Sequence, residues 1–170
     1  EAEDASTFVK YLNDEYLSEW AISGLTTIDG TEEILLDLMK KEAVSKAALA
    51  HTAGIKKMDS AEPILLAWLK QADAPTTRAI YQSLARCGTS LSLPVLGKAA
   101  KKVDYAWEES DATAAYLRLM KRLVSEGQAK SAVVAAKALL KGTDKSYVRG
   151  AALDVVVAVE GKKALPYLTA

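Results

Sequence analysis

The chain has 170 residues, half of them hydrophobic, which is long enough and apolar enough for a folded domain and excludes intrinsic disorder. Its 22 basic and 22 acidic residues cancel, so no global field exists to draw in nucleic acid or an anionic membrane. The single cysteine, Cys87, rules out an intrachain disulfide or a multi-cysteine metal site, and no apolar run approaches the roughly 20 residues of a membrane span.

Apolar residues recur at helical spacing throughout, as in Ile34, Leu35, Leu38 and Met39, or Ile80, Tyr81, Leu84 and Cys87, while period-two alternation is almost absent. The expected class is all-α. Taken in chain order, the pattern predicts helices near 4–13, 15–28, 31–41, 43–54, 61–72, 75–87, 91–102, 110–126, 128–141, 145–159 and 162–169. Breaks fall where glycine can end one helix and Ser, Thr or Asp can cap the next: Asp29-Gly30-Thr31, Gly54, Ser60, Asp73-Ala74-Pro75, Gly88-Thr89-Ser90, Gly127, Gly142-Thr143-Asp144 and Gly161. Alanine pairs such as Ala47-Ala48, Ala135-Ala136 and Ala151-Ala152 let helix axes approach closely, with Leu84, Leu119, Leu140 and Val155 as fillers.

The helices repeat as pairs. Leu93-Pro94-Val95-Leu96 follows Gly88, Leu165-Pro166-Tyr167-Leu168 follows Gly161, and Pro63-Ile64-Leu65 is a weaker third copy. Pro63 and Pro94 stand 31 residues apart, and Pro94 and Pro166 stand 72 apart, or two units of 36, a period in the range of helical solenoids. Asp73 precedes Arg78, and Asp144 precedes Arg149, at the same offset, a second mark in the same phase. Such units bury their apolar faces by stacking, so the expected fold is a single α-solenoid domain over 1–170, of about five and a half helix-pair repeats. The start at Glu1 without methionine suggests a processed or excised product, and the lone last helix implies that native sequence continues past Ala170.

The Leu-Pro-x-Leu openings and Asp-x-x-x-x-Arg marks resemble HEAT repeats across essentially the whole chain. More narrowly, the stretch from Ala99 to Glu108, with Tyr105-Ala106-Trp107-Glu108, followed by Asp111-Ala112-Thr113-Ala114-Ala115-Tyr116-Leu117, resembles the HEAT-repeat region of secreted bacterial proteins that carry a 3-keto-disaccharide hydrolase domain. That resemblance implies an extracytoplasmic scaffold accessory to a carbohydrate-active partner domain. It transfers no hydrolase activity, because the chain has no β-sandwich sequence of its own.

No phosphate-binding glycine loop, dinucleotide turn, paired-histidine zinc helix or nucleophile elbow is present, and no catalytic, cofactor-binding or metal-binding residue is assigned. His51 reads as a structural or surface histidine and Cys87 as a small buried hydrophobe. Glu32-Glu33 and Glu108-Glu109 sit at helix starts, and Lys40-Lys41, Lys56-Lys57 and Lys101-Lys102 near helix ends, where each sign complements the helix dipole. The candidate binding surface is Arg78, Gln82 and Arg86 on one second helix, Arg118 and Arg122 on another, and Tyr105 and Trp107 in the long loop between the seventh and eighth helices. Two readings compete for Arg78 and Arg149, an arginine-bearing groove and a structural ladder of Asp-Arg pairs. For Trp107 the choice is between an exposed contact for a sugar or protein and a cover folded back over the long helix. The expected partner is a protein or a neighbouring domain, with carbohydrate or peptide bound directly as the alternative; neither nucleic acid nor a membrane span is expected.

Overall fold

The computed structural model describes residues 2–41 and 44–167. The elements are α1 (Ala2–Val9), α2 (Ser18–Thr27), α3 (Glu32–Lys41), α4 (Lys46–Ile55), a 3-10 turn at Asp59–Ala61 leading into α5 (Glu62–Trp68), α6 (Ala74–Cys87), α7 (Ser92–Lys102), α8 (Ala112–Ser125), α9 (Ala129–Gly142), α10 (Ser146–Glu160) and a 3-10 stretch at Gly161–Tyr167. The protein is all-helical, with no strand among the described residues.

Local chemistry sets the ends. The Ser45 hydroxyl accepts from the Ala48 amide and caps α4, and the Asp73 carboxylate accepts from the Thr76 amide and caps α6. α2 starts three residues later than the periodicity predicts because Asp14 accepts from the amides of Tyr16 and Leu17, holding 14–17 in a turn. The predicted start of the fourth helix at 43 and the end of the last beyond 167 lie outside the described residues. Within them, the predicted 162–169 α-helix is instead a 3-10 stretch. Gly161 bends the chain at φ +56°, and Pro166 has no N–H with which to continue an α-helical ladder.

The chain divides into two compact units, 1–87 and 88–170. In the first, α1 packs on α2, α3 on α4 and α5 on α6, and the second helices touch in succession, α2 with α4 and α4 with α6. The α4–α6 contact is the tightest. A Cβ on Gly54 would stand 2.8 Å from the Ser83 Cα, so the two backbones nearly touch, and the Ser83 hydroxyl donates to the Ala50 carbonyl across the contact. Ala50 and Ala53 are fully buried in α4, and Leu49, Ile80 and Leu84 fill the space around them. Each such leucine or isoleucine contributes about 1.5 to 3 kcal/mol by leaving water. Lys56, at the end of α4, donates to the Ile28 carbonyl at 2.8 Å and ties the α2–α3 turn down.

In the second unit α7 packs on α8 and α9 on α10, and α8 also touches α9 and α10, which makes it the central helix. Leu119, Met120 and Leu123 of α8 are completely buried. α7 and α9 meet only lightly, leaving an open groove above Tyr116 of α8. No helix among the described residues is long and apolar enough to cross a membrane.

Candidate functional site: a pinned aromatic loop

The loop between α7 and α8 is built from its backbone outward. Asp104 and Tyr105 both take left-handed φ values, +50° and +54°, and the Tyr105 amide donates to the Ala100 carbonyl at 2.8 Å, closing the end of α7. A non-glycine residue pays roughly 1 to 2 kcal/mol for that conformation, so the turn needs outside support. α10 supplies it. The Tyr147 hydroxyl donates to the Tyr105 carbonyl, and Lys145 donates to the Asp104 carbonyl and pairs with its carboxylate at 2.9 Å. At the far end, burial pulls the Glu108 carboxyl upward, but hydrogen bonds from Ser110 and Ala112 outweigh it and hold the group below the ordinary carboxylate range. Those bonds place a negative charge at the start of α8, where the helix dipole favours it.

Trp107 rides on this frame. Its ring stacks on Tyr147 with centroids 5.6 Å apart and planes 29° apart, yet 63% of the residue stays exposed. The indole therefore leans on Tyr147 of α10 with most of its surface open to solvent. The stack and its hydrogen bonds form a fixed, solvent-facing aromatic platform with a Lys-Asp pair beside it. Tyr147→Phe keeps the stack and loses one hydrogen bond to backbone. The expected result is a loss of about 1 kcal/mol in loop closure, read as about fivefold faster amide exchange at Tyr105 and Ala106.

The other candidates separate into two places. Arg78, Gln82 and Arg86 lie on α6 in the first unit, with Arg78 and Arg86 exposed and Gln82 half-buried. Tyr105, Trp107, Arg118 and Arg122 belong to the second. Arg118 pairs with Asp111 at 3.0 Å, at the end of the loop, and remains exposed. Arg122 holds Glu126 at 2.6 Å and donates to the Gly88 carbonyl, so it serves as a clamp between α8 and the segment before α7. The expected Asp-Arg ladder is corrected by the structure. Asp73 spends its carboxylate on the α6 cap, which holds that group below its ordinary range, and Arg149 donates to the Leu140 carbonyl at the end of α9. Backbone groups at helix ends thus engage both side chains.

His51 lines a groove of about 610 Å³ between α2 and α4, with Glu19, Ile22, Thr26, Ala47 and Ile55. Burial first, then the Arg86 charge, push its pKa below 6.5, and Glu19 pulls it partly back. The neutral ring is thus favoured in the folded state. Any stability it contributes is complete above pH 6.5 and is lost as pH falls through the folded-state value. A proton NMR titration of His51 is expected to give a midpoint below 6.5 that rises in Arg86→Ala. Among the described residues no group of three or more His, Cys, Asp or Glu side chains converges as metal ligands do, and Cys87 is buried beside Leu84 and Ala85.

Sequence reasoning missed Lys145 and Tyr147, the side chains that make the loop a platform. They reach back 41 and 42 residues, beyond any local spacing, and each alone reads as an ordinary residue at a helix start. Compared with known protein families, curated proteins and solved structures, the chain matches none.

Proposed function

We propose that this chain is a non-catalytic helical-repeat interaction domain, an α-solenoid of the HEAT type, that recognises its partner through the Trp107–Tyr147 platform. The observation that carries the reading is a large aromatic side chain kept 63% in water while its ring stacks on Tyr147, whose hydroxyl also holds the Tyr105 carbonyl of the same loop. Exposing an indole forgoes burial worth about 1.5 to 3 kcal/mol, and a ring held in place gives up little conformational entropy when a ligand covers it. The pairing of first and second helices within each unit, and the succession of second helix on second helix, support the repeat architecture. The partner in this reading is another protein or a further domain of a carbohydrate-active, extracytoplasmic assembly, as the family resemblance implies.

A second reading, direct binding of carbohydrate, is favoured by the same exposed indole with Lys145 and Asp104 alongside, since a pyranose ring stacks on an aromatic face and its hydroxyls take hydrogen bonds from flanking charged groups. Arg118, paired with Asp111, stands at the end of this loop and extends either surface. Titration with neutral and uronic oligosaccharides, following fluorescence against a Trp107→Phe control, separates the two. Under the protein-partner reading no saccharide changes the Trp107 signal, and a saturable change lost in the control establishes the carbohydrate reading. Hydrolysis of any glycoside abolished by one carboxylate substitution would overturn both.

A further inference from the structure

The second unit carries another built surface, away from any role in the loop. Between α7 and α9 lies an open groove of about 670 Å³ whose walls are Leu93, Pro94 and Gly97 on one side and Ser131, Val134 and Ala138 on the other. Residues 131, 135 and 138 are small and follow helical spacing along α9, and Val134 between them is 67% exposed. A smooth, small-residue wall admits a helix at close range.

The floor is polar at one point. Tyr116 of α8 is 93% buried, and its ring passes beneath Gly97, where a Cβ would stand only 3.0 Å from Cζ and 3.1 Å from the hydroxyl. Tyr116 lines the floor of the groove, with its hydroxyl directly under Gly97. Burial raises its pKa to about 12, so the group remains a neutral donor at any physiological pH.

Charge completes the picture. α7 carries Lys98, Lys101 and Lys102, α9 carries Lys130, Lys137 and Lys141, and neither helix contains an acidic residue. Lys137 is paired with Glu160 at 2.6 Å, whereas Lys130 lines the groove itself. In a chain of zero net charge, two adjacent helices charged only by lysine make a local field of one sign around an apolar trough.

We propose that the α7–α9 groove is a docking site for an amphipathic helix of a partner protein, leucine-like on the buried face and acidic at its edges, with a side-chain or terminal carboxylate taking the Tyr116 hydroxyl and Lys130. Helix-in-groove recognition needs an open trough with apolar walls, which distinguishes this surface from a closed acyl-chain cavity. The groove shares no residue with the Trp107 platform, so the two proposals stand or fall separately.

The test uses the whole chain and three probes: a short synthetic helix with leucine on one face and glutamate on the other, the same helix with lysine in place of glutamate, and dodecanoate. Binding is measured by calorimetry and by the amide resonances of Gly97, Ser131 and Val134. The glutamate helix is expected to bind at least about tenfold more tightly than the lysine helix and to weaken as salt rises. Val134→Glu, at an exposed position that leaves the fold intact, is expected to weaken it about tenfold, and Tyr116→Phe about three- to tenfold. Equal binding of both helices, no binding of the glutamate helix, or binding untouched by Val134→Glu would each overturn the proposal. Shifts produced by dodecanoate alone would overturn it in favour of a fatty-acyl site.

Discussion

Gly54→Ala is expected to lower stability by about 2 kcal/mol, although alanine favours a helix interior over glycine by about 1 kcal/mol. The reason is steric. The new Cβ would meet the Ser83 Oγ at 2.7 Å, its Cα at 2.8 Å and its Cβ at 3.0 Å, and a backbone atom cannot swing aside as a long side chain does. α4 and α6 must separate, and overpacking of this kind costs about 1 to 3 kcal/mol, here at the upper end because the contact is the most extensive in its unit. Gly150→Ala is the matched control. A Cβ there meets nothing within 4 Å, so the same substitution in α10 is expected to stabilise by about 0.5 to 1 kcal/mol. Urea titrations followed by circular dichroism give both values, and the opposite signs are the result that matters.

Leu119→Ala is expected to have the larger effect, a loss of about 3 to 4 kcal/mol. Leu119 is fully buried on α8, the helix against which α7, α9 and α10 all pack. Its neighbours are held from several directions, so the cavity cannot collapse from one side, and the cost falls toward the upper part of the range for leucine truncation. The urea midpoint is expected to fall without a change in slope, since the surface exposed on unfolding is nearly the same.

Leu119 is legible in the sequence as a filler between helices, whereas Gly54, which the sequence marks as a helix-ending glycine, lies inside α4 and matters as the point of close approach to α6. Alanine-rich stripes and the glycine, serine and aspartate punctuation mark where helices start, stop and approach, and α3, α6, α7, α9 and α10 lie close to where that pattern puts them. These signals are local, and propensity and capping act over three or four residues. What the pattern hides acts at a distance or depends on competition. The Asp14 turn takes residues that are apolar enough to begin a helix. The clamp of Lys145 and Tyr147 on the 103–111 loop joins segments some 40 residues apart. Tyr116 reads as one more aromatic in a helix stripe, and only the absence of a side chain at Gly97 leaves room for its ring in the groove. Arg78 and Arg149 show the converse, a regular sequence mark diverted by the backbone: the Thr76 amide takes Asp73, and Arg149 itself donates to the Leu140 carbonyl.

The first-unit groove around His51 carries a mixed set of Glu19, His51 and the nearby Arg86, and the second unit carries a platform and a lysine-flanked trough. Of these, the platform is the one whose parts are fixed by interactions from two separate elements. An adventitiously exposed tryptophan on an ordinary loop would have no such support. Preorganisation is therefore the property that distinguishes a recognition site from a loop tip.

The order parameter of the Trp107 indole N–H, from ¹⁵N relaxation, measures that property directly. A value near 0.85, equal to the backbone of α10 on whose Tyr147 the ring stacks, is expected, with a fall in Tyr147→Ala. A value below about 0.6 in the unaltered protein would show a freely moving side chain and would contradict the platform.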